Sequence, residues 1–468
     1  MHTLSTPFDS VPSPPSLVAK EGSTVAMGRK LEHLEGARTV VALWITLHHW
    51  PFPKVPLQGD RVHLGVSYFL VLSGFVTHWV YGRPERWDGR LLHFYARRVD
   101  RIVLTSWLGM SAVLVLELSA IGKRGLGVVS DSALGPNTTA SDVLMPERLL
   151  GCFSWLRWYY GTAFDDLVTC PDVPTWTVGA LILCWLLYPL MRWIIVQASA
   201  RGSAGVVTAC LLLASCWVIT IVAQVAFWAV HGFTFATARP HDVAYYSPPA
   251  WIGEFGLGVV AAVFLHNAEA NAGTTTEATP LLGGGTALQS SPQQRLAAWV
   301  RASWAAVMAD LAAITVAATV VFLPTPKAEF YEQTDDSHRT GPEALLDHAL
   351  APLFAAWIYG SSAGSEVGLV GRLLQKPPFA WSGKYSFHTY ILWVPLMLFI
   401  QIWWPSLNLG RPADAVTALL ILWIGSAVYA EYIEGPLVQL LRCDACAKPA
   451  MTQPNQPPPP PKSAPESG

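Results

Sequence analysis

Four side chains in the first apolar run of the chain can carry or exchange a proton. Glu35 and Arg38 lie near its beginning, and His48 and His49 lie at its end. On an α-helix, Arg38 and His49 share one face about 16 Å apart along the axis, because eleven residues make nearly three whole turns. An imidazole can act as a general base near neutral pH, and Glu35 can neutralise Arg38. The alternative is structural: an ion pair at a helix end and two histidines bonded to neighbouring helices.

A second candidate set consists of three arginines within residues 93–102. Arg97 and Arg98 are followed by Arg101, and spacings of three and four residues place guanidinium groups on one side of a helix. Converging guanidinium groups bind phosphate oxygens in bidentate pairs, so a coenzyme or nucleotide is the ligand they suit. Ordinary positive charge on a cytosolic loop is the alternative, and it is favoured when the arginines are considered alone.

These residues must be positioned by elements inside a membrane, because the chain is too apolar for water. Of its 468 residues, 52% are hydrophobic and 13% are charged, about half the charged share of a soluble domain. So few charges cannot cover a water-facing surface, which disfavours soluble, disordered and disulfide-stapled secreted classes. No basic block interleaved with aromatic residues indicates nucleic-acid binding. No metal site is predicted, because the Cys443-x-x-Cys446 pair has no second ligand pair beside it.

Ten apolar stretches are candidates for membrane spans, each of which needs about 20 mostly apolar residues. A span must be helical in the absence of a barrel pattern, because lipid cannot satisfy an open backbone. We therefore predict an all-α, multi-pass integral membrane protein of about ten transmembrane helices, in a membrane that the sequence does not specify. The candidate spans are 35–50, 64–81, 102–120, 175–195, 205–230, 249–267, 303–323, 345–361, 385–404 and 413–440.

Positive charge predicts the orientation of these spans. Six arginines lie between residues 83 and 101, a concentration that should stay in the cytosol and that places both termini there. The membrane domain is predicted at 34–442, with a flexible inner loop at about 268–300. A disordered tail is predicted at 1–33 and a Pro-rich cytosolic tail at 443–468.

The predicted outer loop, 121–174, contains two cysteines and a glycosylation acceptor triplet. Cys152 and Cys170 lie where oxidation is permitted, so a disulfide between them is one prediction and two unpaired thiols are the alternative. Asn137 begins the triplet Asn-Thr-Thr, and its place in this loop agrees with the predicted orientation.

Six short motifs follow one another along the chain, at 34–49, 65–75, 94–102, 174–178, 386–395 and 431–437. In this order they resemble the motifs of the membrane acyltransferase-3 family: LDGLRG with a later FH, GVxLFFVLSGF, FYxRRxxRI, PLWSL, SYSLYLxHxP and RxxExPL. Each motif alone is weak, but six in order over residues 34–440 are fairly specific. The chain is therefore similar to members of that family over nearly the whole predicted membrane domain.

The resemblance implies ten core helices, cytosolic tails and transfer of an acyl group, often acetyl. The donor would be acyl-CoA, typically acetyl-CoA, and the acceptor a hydroxyl of a carbohydrate, a lipid or another small molecule. The family's Arg-x10-His pair falls on Arg38 and His49, and its Arg-x-x-Arg pair on Arg98 and Arg101. Ser73 matches a serine of the second motif, where a small Ser-Gly pair allows close helix packing.

The chain also departs from the family pattern. Leu181 replaces a glutamate that usually follows PLWSL, and Trp393 replaces the histidine of SYSLYLxH, although His388 lies five residues earlier. Glu254 resembles the glutamate of the family's PEFxxG, with an interhelix hydrogen bond as the equal alternative. Tyr390 fits a pocket wall or plain core. These differences keep two alternatives to an acyltransferase open: a transporter or exporter of a small amphiphile, and a catalytically silent relative.

Overall fold

The computed structural model describes residues 31–50, 63–83, 87, 89–125, 139–160, 170–230, 246–277, 292–322, 345–346, 348–363 and 367–441. Within these ranges the chain forms helices and no strand, as expected for an all-α protein. Four parts of the sequence predictions lie outside the described ranges: Asn137, the tail at 443–468, residues 1–30 of the N-terminal tail, and residues 278–291 of the inner loop.

The helices are numbered in chain order over the described ranges. The long ones are α1 (Glu32–His49), α2 (His63–Tyr81), α3 (Leu91–Gly125), α7 (Trp176–Ser199), α8 (Ser203–Val230), α9 (Ile252–Glu277), α10 (Pro292–Phe322), α11 (Ala351–Ala363), α14 (Ser386–Trp403) and α15 (Pro412–Val428). The shorter ones are α4 (Ala140–Val143), α5 (Pro146–Phe153), α6 (Arg157–Tyr160), α12 (Leu369–Leu374), α13 (Pro377–Gly383) and α16 (Gly435–Leu441). A π-helical segment, Tyr429–Glu434, joins α15 to α16.

Eight of these helical stretches are long and apolar enough to cross a membrane, which confirms an integral multi-pass protein. The other two predicted spans correspond to α1 and α11. Helix α1 contains Glu32, Glu35 and Arg38 within 18 residues, and α11 has only 13 residues. Ten spans and the sides of the two termini therefore remain predictions.

Within the predicted flexible loop at about 268–300, the described residues at both ends are helical. Helix α9 continues to Glu277, and α10 already begins at Pro292. Ala268, Glu269 and Ala270 are good helix formers, and adding residues to an existing helix avoids the cost of starting one.

Glycines set the closest helix contacts of the bundle. A Cβ atom on Gly74 of α2 would overlap the carbonyl oxygen of Phe255, and one on Gly258 of α9 would overlap that of Val71. The backbones of α2 and α9 therefore touch, as small residues allow between membrane helices. Ser73 lies half-buried beside this contact.

Large apolar side chains cover the outside of the bundle. Those that are more than half exposed include Leu211 and Ile219 of α8, Leu311 of α10, and Leu420 and Ile424 of α15. In a soluble protein such a surface would aggregate, whereas here it faces hydrocarbon. These exposed faces of the three helices therefore suit contact with lipid.

The segment between α3 and α7 is closed on itself by a disulfide and is joined to α3 by a buried ion pair. Cys152 and Cys170 form a disulfide, the pairing that the sequence left open. Arg148 of α5 forms an ion pair with Glu117 of α3 at 3.2 Å, with only 7% and 11% of the two side chains exposed. It also donates to the carbonyl oxygen of Val143.

Candidate active site

Helix α3 carries one face along which buried polar groups collect. Arg98, Thr105 and Gly109 are separated by seven and four residues, so they lie within about 40° of one another around the helix. From Arg98 to Gly109 this face rises about 16 Å. We call the groups that meet it the polar column.

The polar column begins where α2 ends and α3 starts, which we call the arginine end. The guanidinium carbon of Arg98 lies 4.9 Å from the centre of the Tyr81 ring, and that of Arg192 from α7 lies 4.6 Å from the Trp87 ring. Arg192 also donates from Nε to the Tyr81 carbonyl oxygen at 2.9 Å. Both contacts are cation–π interactions, in which the guanidinium group is attracted to the face of the ring.

Two members of the predicted arginine cluster have described side chains at the arginine end. Arg98 is half-buried, Arg97 is exposed, and the side chain of Arg101 lies outside the described part. Burial lowers the pKa of the Arg98 guanidinium, although an arginine stays charged in proteins. Sequence reasoning missed Arg192. The signal was there, since a cation inside an apolar stretch is a candidate by default.

The next level of the column is a buried histidine–carboxylate pair. His388 donates from Nε2 to Glu434 Oε2 at 2.8 Å, and Thr105 donates to Glu434 Oε1 at 2.6 Å. The His388 Nδ1 atom is buried and has no hydrogen-bond partner among the described atoms. Glu434 ends the π-helical segment, a local form that often marks functional positions. The sequence noted His388 only as a departure and did not single out Glu434.

Asp172 and Tyr390 form the level above. Asp172 is fully buried, and neither of its carboxylate oxygens has a partner among the described atoms. Its Oδ2 atom lies where a Cβ on Gly109 would be, close to Ile391. Asp172 precedes the span that starts at Val173, and burial raises the pKa of its carboxyl well above the usual range. Tyr390 is buried on α14, and its ring centre lies 6.1 Å from that of Phe69 on α2.

His49 lies at the far end of the column, at the last residue of α1. Its ring lies 4.7 Å from the Trp393 ring, centre to centre. Nδ1 is 2.8 Å from the carbonyl oxygen of Ile45. Because a carbonyl oxygen only accepts, Nδ1 carries the proton in the neutral ring and Nε2 keeps the lone pair. Three levels of the column thus contain a residue of α14, namely His388, Tyr390 and Trp393, which together span about 8 Å along the axis of that helix.

Arg38 does not meet His49. Helix α1 is continuous between them, and Arg38 instead forms an ion pair with Glu35 at 3.1 Å, with about a third of each side chain exposed. Helix α13 packs here so closely that a Cβ on Gly383 would overlap the carbonyl oxygen of Glu35. The geometry therefore matches the alternative of a helix-end ion pair for these two residues.

Glu254 also forms a structural contact. It is fully buried in α9, and its Oε1 atom lies 2.7 Å from Nδ1 of His348. The backbone carbonyl of His348 accepts a hydrogen bond from Trp217, so the pair links α9 to the segment before α11 and to α8. Among the described residues no group of three or more His, Cys, Asp or Glu is placed to hold a metal ion.

A family model described as an acyltransferase domain matches residues 31–431. The chain belongs to the acyltransferase-3 family. The match runs from the start of α1 into the π-helical segment, so it includes every level of the polar column except Glu434 itself. Family membership supports acyl transfer within a membrane as the general activity. Neither a curated protein nor a solved structure matches the chain.

Proposed function

We propose that this acyltransferase-3 member is an O-acyltransferase. It transfers an acyl group, with acetyl as the expected group, from acyl-CoA to a hydroxyl of a carbohydrate, lipid or other small acceptor. The observation that carries the proposal is the geometry of His49. Its Nδ1 is fixed by the carbonyl of Ile45, which leaves Nε2 as the atom that can take a proton. A positioned base of this kind contributes about 100- to 10,000-fold in rate.

The reaction balances with His49 as the base. Nε2 takes the proton of the acceptor hydroxyl while the oxygen forms a bond to the thioester carbonyl carbon. The carbon–sulfur bond then breaks, the ester stays on the acceptor, and the sulfur leaves as a thiol with one proton from the medium or the imidazolium. Trp393, in contact with the His49 ring, holds the imidazole in place. It occupies the position where the family usually has a histidine.

The arginine end suits the donor's phosphates. The Nε atom of Arg98 has no partner among the described atoms, and a buried charged donor without a partner favours an anionic ligand. Arg192 reaches the same aromatic cluster from α7. Arg97, exposed beside them, and Arg101 would complete the set.

The two halves of the site lie far apart. From Tyr81 at the arginine end to Leu64 near the other end, α2 rises about 26 Å. A donor held by its phosphates must therefore extend along the polar column to bring its thioester to His49.

Label transfer from radioactive acetyl-CoA tests the proposal. The purified protein in detergent is incubated with hydroxyl acceptors of the three classes, and each acceptor is examined for covalent label. Labelled ester supports the proposal. Uptake of an amphiphile by proteoliposomes without any covalent product would instead show a transporter. The absence of both label transfer and uptake would indicate a catalytically silent relative.

A further inference from the structure

An apolar cavity of about 490 Å³ opens between α1, α2, α10 and α11. Its wall includes Ala37 and Trp44 of α1, Ala313 and Val320 of α10, and Trp357 of α11. Its volume falls in the range of small-molecule sites, about 300–1,000 Å³. It lies beside the polar column and is not part of it. We call it the apolar slot.

The apolar slot has the length of one lipid tail. On α1 it extends from Ala37 to His48, about 16 Å along the helix axis. The hydrocarbon core of a bilayer is about 30 Å thick, so each leaflet contributes about half of that. A chain in the slot would therefore run parallel to the tails of one leaflet.

Two polar side chains interrupt this wall, apart from the two indole rings. His48 closes the end of the slot nearest to His49, and the two imidazole rings are 5.2 Å apart, centre to centre. Tyr68 is 2% exposed, and its hydroxyl has no hydrogen-bond partner among the described atoms. Apart from these two side chains and the indole rings the wall is apolar, which suits a hydrocarbon tail.

We propose that the apolar slot binds the hydrocarbon tail of the acceptor, which is therefore a lipid with a hydroxyl in its head group. The tail lies between α1 and α10, the head group leaves at His48, and the hydroxyl reaches His49. This inference rests on the proposed function, which makes His49 the base.

The slot is assigned to the acceptor because of where it lies on α2. Leu64, Gly65 and Tyr68, which line it, belong to the beginning of that helix. The arginine end, where the donor's phosphates would be held, lies about 20–26 Å from these residues along α2, near Tyr81. A long acyl chain on the donor would have to pass the whole polar column before it entered the slot.

The slot predicts how the acceptor's Michaelis constant depends on chain length. Each buried methylene contributes about 0.8 kcal/mol, which is about a fourfold change in binding. Labelled acetyl-CoA and a series of 1-O-alkylglycerols with alkyl chains of increasing length provide the probe. We expect KM to fall about fourfold per methylene until the chain fills the slot, and then to level off.

Matched variants on α10 assign this dependence to the slot. Ala313→Phe places a ring in the slot, so the decrease in KM should end several methylenes earlier. Thr315→Phe adds the same ring at an exposed position of α10 outside the slot and should leave the series unchanged. Ala317→Phe, on the more open part of the slot wall, replaces Ala313→Phe if that variant does not accumulate. A KM independent of chain length, or equal effects of the Ala313 and Thr315 variants, would overturn the proposal.

A binding measurement separates this proposal from the proposed function. If no alkylglycerol is acetylated, the same lipid with a photoreactive diazirine at its chain end is cross-linked to the protein in lipid nanodiscs, and the labelled peptides are mapped. Labelling concentrated on α1, α10 and α11, and reduced by Ala313→Phe, supports the slot without any activity. Labelling spread equally over the lipid-facing surfaces of α8 and α15 would show ordinary bilayer lipid and refute it.

Discussion

Replacing Arg98 by lysine tests whether this residue binds the phosphates of the acyl-CoA donor or only keeps its loop in the cytosol. The orientation of membrane helices depends on positive charge, which lysine retains. Lysine lacks the planar fork that binds a phosphate at two points, and it lacks the planar guanidinium whose carbon lies 4.9 Å from the centre of the Tyr81 ring. The two roles therefore predict different results for the same variant.

The magnitude follows from the contacts that Arg98→Lys removes. A hydrogen bond to a charged group contributes about 1.5–3 kcal/mol, and every 1.4 kcal/mol is tenfold in affinity. Losing one such bond should raise KM for acetyl-CoA by about one to two orders of magnitude. The acceptor's KM should change little, because its site lies at the other end of α2.

Steady-state kinetics with labelled acetyl-CoA measures both constants. Arg201→Lys is the matched control, since Arg201 is an exposed residue of another predicted cytosolic segment. Both variants should insert and accumulate like the parent. An unchanged KM for acetyl-CoA in Arg98→Lys would show that the arginine only contributes charge, and would remove the donor site from the arginine end.

Two further predictions concern buried charged side chains, first in the polar column and then in the ion pair between α5 and α3. Glu434→Gln removes the negative charge that accepts from His388 and Thr105, so we expect a lower Tm and slower acyl transfer; a parental Tm would show that the pair contributes no net stability. Arg148→Met leaves Glu117 buried without its cation, which should cost about 3–5 kcal/mol in thermal unfolding assays. Adding Glu117→Gln should recover part of this loss, and no recovery would contradict the ion-pair explanation.

Motif order and hydropathy predicted the membrane class, because both depend on local sequence. The arginine motif of α3 is a local helical pattern, so its spacing alone predicted that these arginines share one side of a helix. The pair between His388 and Glu434 joins residues 46 positions apart, and no periodicity in one segment reveals which distant helix it will meet.

Asp172 shows the same limit more strongly. The sequence placed it at the end of a predicted outer loop, where an aspartate is ordinarily solvated. The structure buries it completely against Gly109 and Ile391, because the short 3₁₀ turn at Val173–Thr175 brings the chain into the core before α7 begins. Only tertiary packing distinguishes such a carboxylate from a surface one.

Helix α1 shows where charge counting and packing disagree. Its apolar run suggested a span, although a short one, yet its two acidic residues and Arg38 keep it below the apolar character of the eight spans. It is nevertheless buried on one side, where Gly36 packs against the backbone of Leu374. Neighbouring helices thus supply the contacts that hydropathy alone does not predict.

The most direct test of His49 as the base compares two alanine variants of neighbouring histidines in the label-transfer assay. His49→Ala should lower kcat by about 100-fold or more, and added imidazole should restore part of it, while the protein keeps its parental Tm. His48→Ala should retain kcat, because that ring lies on the slot and not on Trp393. Full activity in His49→Ala, or loss of kcat in His48→Ala alone, would contradict the account.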